Sequence, residues 1–499
     1  MKLKELLDGI GRVSTVGPLD KEITALTVDS REVKDGTLFA AIRGEKVDGH
    51  DYIDKALEKG ASAIMAERDE PLHYRDTWLR VPDSRKGVAE AADTYFGRPS
   101  DDMLVCGITG TNGKTTTAFL LHHLLTEAKG RCGLIGTVKY DTGLGPQAST
   151  HTTPDWIAVQ RLMSEMRANG CAGVAMEVSS HALQQSRVHG IRFDAGVFSN
   201  LTQDHLDYHG TMEDYFMAKA GLFEHMTLQG GPKKPAAIIN SEDTYGRRLI
   251  QMYEGKLNVV KYGMGMQADF RATDIRTSVQ GTQFTLEARG RTFLVRLPLI
   301  GRFNVYNALS AITTAWAMGL NLRETINNIA RSPQVPGRMQ SVAEAKPFRV
   351  FVDYAHTPDA LENALRTLKD LQPRRIITVF GCGGDRDRTK RPKMGAISEN
   401  FSTWSIVTSD NPRSEDPEAI LAEIRSGMRG DHAESIVDRK EAIAKAIGMA
   451  GGGDIVLIAG KGHEQGQTFA TETLPFDDVR VAQSVLREWT LPERGERKK

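Results

Sequence analysis

The sequence predicts an α/β protein of three domains. These are a small N-terminal α/β domain (1–100), a central P-loop-type domain with a mostly parallel sheet and a few antiparallel strands (101–335), and a C-terminal Rossmann-like α/β domain (336–499). Three observations carry this reading. The chain has 499 residues, beyond the length at which one core keeps growing. Two stretches rich in turn formers, "GRPSDD" at 97–102 and "RSPQVPGR" at 331–338, read as linkers. Beyond the first of these, short apolar runs alternate with helix-periodic segments, as in a parallel sheet covered on both faces.

In the first domain the strand "TLFAAI" precedes "DGHDYIDKALEKG", a helix pattern stopped by Gly60, and the strand "ASAIMAE" follows. The middle domain offers strands in "MLVCGIT", "GVAMEVS", "DAGVFSNL" and "AAIIN", with a helix over Thr115 to Ala128. From 269 to 298 the pattern changes to antiparallel hairpins, with Gln280-Gly281 and Arg289-Gly290 at the turns. Alternation returns through "RVFVDYAH", "RIITVFGC", "WSIVTSD" and "DIVLIAG", each ending in polar residues or glycine. Ligands of open sheets sit at the carboxyl ends of such strands.

Charge narrows the partners. Lys plus Arg and Asp plus Glu both number 64, and the short tail "ERGERKK" is the one place where charge gathers. Nucleic acid and anionic membrane are therefore not expected as partners. The four cysteines, Cys106, Cys132, Cys171 and Cys382, are widely spaced and form no zinc-finger pattern. They read as reduced thiols. The N-terminus "MKLKELLDGIGRV" lacks a long apolar region, and no apolar run is long enough to span a bilayer. A soluble, cytoplasmic monomer without membrane insertion is expected.

The first sign of chemistry is "GITGTNGKTTTAFLL" (107–121). Backbone N–H groups of a glycine-rich turn, together with the dipole of the following helix, favour bound phosphate; a lysine adds charge and a Thr hydroxyl can hold Mg²⁺. Gly110, Thr111, Asn112, Gly113, Lys114 and Thr115 fill those roles. The strict G-x-x-x-x-G-K-[ST] pattern is not met, because Ile108 stands where its first glycine belongs. The bland alternative is an ordinary strand-to-helix turn with Lys114 in solvent. Nucleotide binding is the better reading, but the loop alone leaves the reaction open, including a P-loop switch or motor.

The loop is one of several long motifs. "GTNGKTT", "EVSSHAL" (177–183), "NLTQDHLDYHG" (200–210), "YFMAKAGLF" (215–223), "GRFNVYNALSA" (301–311), "VPGRM" (335–339) and "VDYAHTPDAL" (352–361) occur in order across all three domains. Together they closely resemble the Mur ligases. Within that family, "DNPR" at 410–413 resembles the signature of members that add meso-diaminopimelate to a UDP-muramoyl dipeptide.

The resemblance implies ATP-dependent ligation through an acyl phosphate, giving a peptidoglycan-precursor tripeptide. Positioning and charge neutralisation dominate such phosphoryl transfer, because the γ-phosphate and a carboxylate must approach each other. The resemblance assigns the neutralisation to Mg²⁺, with Thr115, Glu177 and His205 as ligands, and to Lys219 as a carbamate. Carbamylation requires a neutral amine, hence burial or nearby positive charge. Read by itself, Lys219 is a surface lysine whose stem covers the core. Ser179 and Ser180 are plain helix caps, and Thr211 with Asp214 is a capping box. By resemblance Asn304 and Asn307 face the base, Asp353 the ribose and Arg338 the phosphates, although an Asn can equally satisfy loop backbone. Thr357-Pro358 is a good helix start. Ser30 matches a uridine-side contact; Thr152, Thr153, Ser179, Gln185 and Arg187 match muramoyl-peptide contacts. His151 departs from the family, whose members often carry Asn there.

For the incoming amino acid the residues themselves say more. meso-Diaminopimelate differs from lysine by one carboxylate, and selecting it calls for a guanidinium that binds that group bidentately. Arg413 is the candidate. Asp410 and Asn411 can take the distal ammonium, and Pro412 stiffens the turn. Arg386 suits the other carboxylate, and Glu464 with the Gly460 carbonyl suits ammonium protons. In isolation "SDNPRSEDP" is a plain Asn-Pro turn. A lysine-adding ligase and a folylpolyglutamate synthetase remain as nearer alternatives.

Overall fold

A computed structural model describes residues 1–44, 47–71, 76–342 and 346–489; the charged tail at 493–499 lies outside the described residues. The chain forms two compact units. The first holds Met1–Thr273 with Thr285–Phe293 and Tyr306–Ile329; the second holds Asp274–Phe284, Leu294–Val305 and the chain from Ala330 onward.

The first unit contains two sheets. Strands β1 (Ser14–Val16), β2 (Ala25–Thr27), β3 (Thr37–Ala40), β4 (Ala61–Ala66) and β5 (Thr77–Arg80) order as β1-β5-β4-β3-β2, parallel except for the β1/β5 pair. The predicted helix after β3 begins as a 3₁₀ turn at Gly49–Tyr52 before its α-helical part, Ile53–Glu58. This small sheet is tied to the larger one by Arg167, which donates to the carbonyls of Gly97 at 2.6 Å and Phe96 at 2.9 Å. The first turn-rich stretch is thus pinned from the neighbouring sheet.

The larger sheet is built on β6 (Leu104–Thr109), β7 (Gly133–Ile135), β8 (Lys139–Asp141), β9 (Pro146–Ala148), β10 (Gly173–Glu177), β11 (Ala195–Phe198), β12 (Ala236–Asn240) and β13 (Asn258–Gly263). Its order is β13-β12-β11-β6-β10-β7-β8-β9, with β8 and β9 antiparallel. The central strands are uncharged and buried along most of their length, as both covered faces demand. The strand order reverses around β6, so the loops after β6, β10 and β11 open at one crevice.

Beyond β13 the chain runs through β14 (Phe270–Ser278), β15 (Gly281–Ala288) and β16 (Arg291–Leu297), a ribbon shared between the units. Arg289 and Gly290 turn with φ of 53° and 72°, the expected left-handed pair. The other turn sits one residue earlier than predicted, at Val279-Gln280, because Gly281 already belongs to β15.

The second unit carries β17 (Gln340–Ser341), β18 (Arg349–Asp353), β19 (Ile376–Phe380), β20 (Trp404–Val407), β21 (Ala433–Ser435) and β22 (Ile455–Ala459), ordered β17-β18-β22-β19-β20-β21. All pairs but β17/β18 are parallel. A small hairpin, β23 (Gly466–Thr468) with β24 (Thr473–Pro475), follows. Thr357 caps the helix Pro358–Asp370 with Pro at its first position, as expected.

Among the described residues no helix is long and apolar enough to cross a membrane. The four cysteines are buried and unpaired. Burial pushes the Cys132 thiol up to about 11 and that of Cys382 to about 12, which keeps them protonated and unreactive.

Beneath the second sheet lies a fully buried ion pair. Arg439 donates to Asp478 at 2.8 and 2.7 Å, and also to the carbonyls of Ser409 and Ala459 at 3.3 and 3.0 Å. One guanidinium therefore fixes the carboxyl ends of β20 and β22. Arg439→Met should destabilise this unit by about 3–5 kcal/mol by leaving a buried carboxylate unpaired, and Arg439→Met/Asp478→Leu should recover most of the loss. Denaturant unfolding checks this; an unchanged midpoint in the single variant would refute the role given to the pair.

Candidate active site

The loop after β6 is shaped by what packs against it. Gly110 has φ of 144°, and a Cβ there would lie 1.9 Å from Ser199 Oγ; Gly113 has φ of 88°, and its Cβ would lie 2.4 Å from Asn307 Oδ1. Neither position admits a side chain, which explains the glycines and sets Asn307 beside the loop. Asn112 N donates to Asn200 Oδ1 at 2.9 Å, while the Asn112 carbonyl accepts from Ser199 Oγ at 2.6 Å. Thr111 Oγ1 meets the Tyr215 hydroxyl at 3.2 Å. The helix Lys114–Lys129 then starts with its first amides aimed at the loop.

Two amines converge on one oxygen. Lys114 Nζ donates to the Gly110 carbonyl at 2.9 Å and the Thr111 carbonyl at 2.8 Å; Lys219 Nζ donates to the same Gly110 carbonyl at 2.8 Å. Lys219 lies on the helix Met212–Leu228, is 1% exposed, and has its Nζ 4.5 Å from the centre of the Tyr215 ring. Burial drives its pKa well below the usual lysine value; the Lys114 charge adds to this and Asp204 opposes it. The surface-lysine alternative therefore falls. Both conditions for a neutral, carbon dioxide-reactive amine are met here.

Glu177, at the end of β10, is also 1% exposed. It accepts from Thr115 Oγ1 at 3.0 Å, Thr137 N at 2.8 Å and Thr137 Oγ1 at 3.1 Å. The sequence reading passed over Thr137, because it sits outside every motif in the loop after β7. Thr137 Oγ1 reaches Thr152 Oγ1 at 3.0 Å, and Thr153 Oγ1 donates to the Glu177 carbonyl at 2.9 Å. Ser179 N donates to Thr153 Oγ1 at 3.0 Å. Arg187 donates to the Thr153 carbonyl at 2.8 Å and, with two nitrogens, to Gln185 Oε1 at 3.0 and 2.8 Å. These five predicted contacts form one network with Glu177. Ser179 also caps the helix Ser180–Gln184, so the bland reading of that serine holds beside the functional one. Ser180 does not cap; its hydroxyl meets His209 Nε2 at 2.9 Å. Ser30 is buried in the loop after β2 and takes no part in these bonds.

His205 has φ of 53° and stands before the short helix Leu206–His209. Its ring lies 5.0 Å from that of His181. Burial lowers its pKa, Asp204 opposes, and Lys114 and Lys219 lower it further, which favours the neutral imidazole. Thr211 caps the following helix through Asp214 N at 3.1 Å. Among the described residues no group of three or more His, Cys, Asp or Glu is arranged to hold a metal. A hydroxyl, a carboxylate and an imidazole fit Mg²⁺ only with further oxygen donors.

In the second unit, Asp353 Oδ2 accepts from Met339 N at 2.6 Å. Burial raises the Asp353 carboxyl to about 6, against the lowering effect of Arg338. Arg338 itself lies over the Tyr354 ring at 4.6 Å. Asn304 is buried and donates to the Ile300 carbonyl at 2.8 Å, so its amide serves backbone, as the plain reading allowed.

The amino-acid candidates gather at the ends of β19, β20 and β22. Gly384 N donates to the Asn411 carbonyl at 2.9 Å, and Arg413 Nη1 donates to the Gly384 carbonyl at 2.6 Å. Arg413 has φ of 53°, and its own N donates to the Thr468 carbonyl at 3.0 Å. Pro412 closes the turn by accepting from Glu415 N at 3.1 Å. Arg386 is exposed and donates to the Asp385 carbonyl at 3.2 Å. Asp385 N donates to Glu415 at 2.6 Å, and the fully buried Arg391 grips Glu415 at 2.8 and 2.9 Å. That clamp was not foreseen, since neither residue belongs to the motif. Gly460 N donates to the Asp353 carbonyl at 3.1 Å. Asp410 Oδ2 is buried with no hydrogen-bond partner. Asn411 Oδ1 already accepts from Lys461 Nζ and Thr468 N, both at 2.9 Å. The expectation that Asn411 takes an ammonium is corrected accordingly: its oxygen is full, and Asp410 has the open acceptor.

Three family models match the chain in order: "Mur ligase family, catalytic domain" over 22–95, "Mur ligase middle domain" over 108–315, and "Mur ligase, glutamate ligase domain" over 337–462. A Halalkalibacterium halodurans protein is 43% identical over 493 residues, covering 98% of this chain and all of the relative. One from Syntrophomonas wolfei is 44% identical over 492 residues, covering 98% and 99%. Both are named UDP-N-acetylmuramoyl-L-alanyl-D-glutamate–2,6-diaminopimelate ligase. A solved structure of a ligase so named superposes with a TM-score of 0.73 at 33% identity, over 98% of this chain and 99% of the other.

The buried amine has a stability consequence. A lysine whose pKa is depressed on folding leaves the unfolded chain holding more protons below the ordinary lysine value, so its contribution to stability falls as pH falls towards neutrality. In bicarbonate-free buffer, Lys219→Met should therefore raise the thermal midpoint by a few degrees at neutral pH and by less at pH about 10. A fall in midpoint at neutral pH would contradict the neutral, strained amine.

Proposed function

The chain belongs to the Mur ligase family, and from that premise we propose that it is an ATP-dependent amide-forming ligase that adds meso-diaminopimelate to UDP-N-acetylmuramoyl-L-alanyl-D-glutamate. The observation that carries the reading is the hydrogen-bonded chain Thr115–Glu177–Thr137–Thr152, which joins the phosphate loop to the residues matched to the muramoyl peptide. A phosphate donor and an acid acceptor at the two ends of that chain are neighbours by construction.

The reaction needs two displacements. The glutamyl carboxylate attacks the γ-phosphorus of ATP, forming an acyl phosphate and releasing ADP; the amine of the second substrate then attacks the acyl carbon and phosphate leaves with the bonding pair. The loop amides of Thr111 to Thr115 and the Lys114 ammonium cradle the phosphates, so the protein works mainly by orientation and charge. Thr115, Glu177, His205 and a Lys219 carbamate would hold Mg²⁺, which supplies positive charge between phosphate and carboxylate. Thr152, Thr153, Ser179, Gln185 and Arg187 orient the peptide, with Ser30 assigned to the uridine side. Asn304, Asn307, Arg338 and Asp353 are assigned to the nucleotide. Arg413 takes the far carboxylate of diaminopimelate, Arg386 the other, and Asp410 with Glu464 and the Gly460 carbonyl the ammonium protons. Nucleotide substrates suit a cytoplasmic enzyme, and one chain carries every assigned set, so a monomer suffices.

Arg413→Ala should raise KM for diaminopimelate by about 30-fold or more, the cost of an unpaired carboxylate, while KM for ATP stays within about twofold. Equal losses for both would remove Arg413 from the amino-acid site. Phosphate release should also require both the UDP-muramoyl dipeptide and diaminopimelate. Release with ATP alone at the full rate would point instead to a nucleotide-driven switch.

A further inference from the structure

Lys461 follows Gly460 at the end of β22, and its side chain is fully buried. Its Nζ donates to Asn411 Oδ1 at 2.9 Å and to Glu464 Oε2 at 3.0 Å. Asn411 closes the triangle by donating from Nδ2 to the same Glu464 Oε2 at 2.8 Å. Thr468 N, from the small hairpin, fixes Asn411 Oδ1 at 2.9 Å.

The triangle divides the two oxygens of Glu464. Oε2 is filled by two donors, and none of these bonds reaches Oε1. A glutamate one-third exposed, as this one is, would otherwise sample several rotamers. Here an ammonium and an amide hold one of them. A further open acceptor comes from Asp410, whose buried Oδ2 has no hydrogen-bond partner. A buried lysine is costly unless paired, and this one is spent on a glutamate that part-faces solvent. Packing alone gives no reason for a cation there.

We infer that Lys461 is a positioning residue for the amino-acid substrate: it locks Glu464, directly and together with Asn411, so that of the two carboxylate oxygens Oε1 alone meets the incoming ammonium. The inference rests on the reading of Glu464 as an ammonium acceptor, and its test separates the two. Full-length Lys461→Met, Glu464→Gln and the double variant are assayed for KM of diaminopimelate, ATP and the UDP-muramoyl dipeptide, with thermal midpoints recorded for each.

Each single variant should raise KM for diaminopimelate by about tenfold or more, leaving the other two KM values within about twofold. Because Lys461 acts through Glu464, the double variant should be no worse than about twofold beyond the weaker single variant. If Glu464→Gln leaves diaminopimelate use intact, the reading of the site fails and the inference with it. If Glu464→Gln impairs it and Lys461→Met does not, or if the two effects multiply, the inference alone is overturned. Should Lys461→Met fail to fold, Lys461→Gln, which keeps a neutral donor, is read by the same criteria.

Discussion

Two lysine amines share the Gly110 carbonyl, and most of the first unit's site follows from that crowding. Two ammonium groups bonded to one oxygen repel strongly where water is excluded. The repulsion weighs most on the group with less access to solvent, and Lys219, the buried one, has its pKa driven well below the usual lysine value. A neutral amine beside a phosphate loop is chemically unusual. The crowding itself depends on Gly110, whose unusual φ turns its carbonyl where both amines can reach it.

The sheet topology supplies the rest of the arrangement. Because the strand order reverses at β6, the loops bearing Lys114, Glu177 and His205 leave the sheet side by side at one crevice. Short β7 contributes Thr137 from the next position, and that threonine is the joint between Glu177 and Thr152. Glu177 is held by one backbone and two hydroxyl donors, which fix its carboxyl group without a cation.

The second unit solves a different problem with cations. Its loops gather arginines and carboxyl groups in a small space, and unpaired charges there would scatter the loops. Arg391 draws in Glu415, Arg439 anchors Ser409 and Ala459, and Lys461 pins Asn411 and Glu464. Three buried cations thereby stiffen the frame around Arg386, Arg413 and Asp410. Arg413, left-handed at φ of 53°, is held in that conformation by the Thr468 and Gly384 carbonyls.

By itself the sequence determined whatever depends on local pattern: the parallel strands from their uncharged runs, the phosphate turn from its glycines, the Thr357-Pro358 helix start, and the family from long motifs in order. Through the family resemblance it also offered roles for Glu177, His205 and Lys219, and through the chemistry of a guanidinium one for Arg413. What it could not settle was the state of those residues. Read by itself Lys219 is a surface lysine, until Tyr215, Lys114 and Gly110 are packed around it, since burial is a property of distant neighbours. Thr137, Arg391 and Lys461 went unnoticed for the same reason: each acts on a residue far along the chain, and isolated threonines, arginines and lysines carry no local signature. Asn411 was given a ligand's role that its neighbours had already taken, because hydrogen-bonding capacity is finite and only the folded chain decides how it is used.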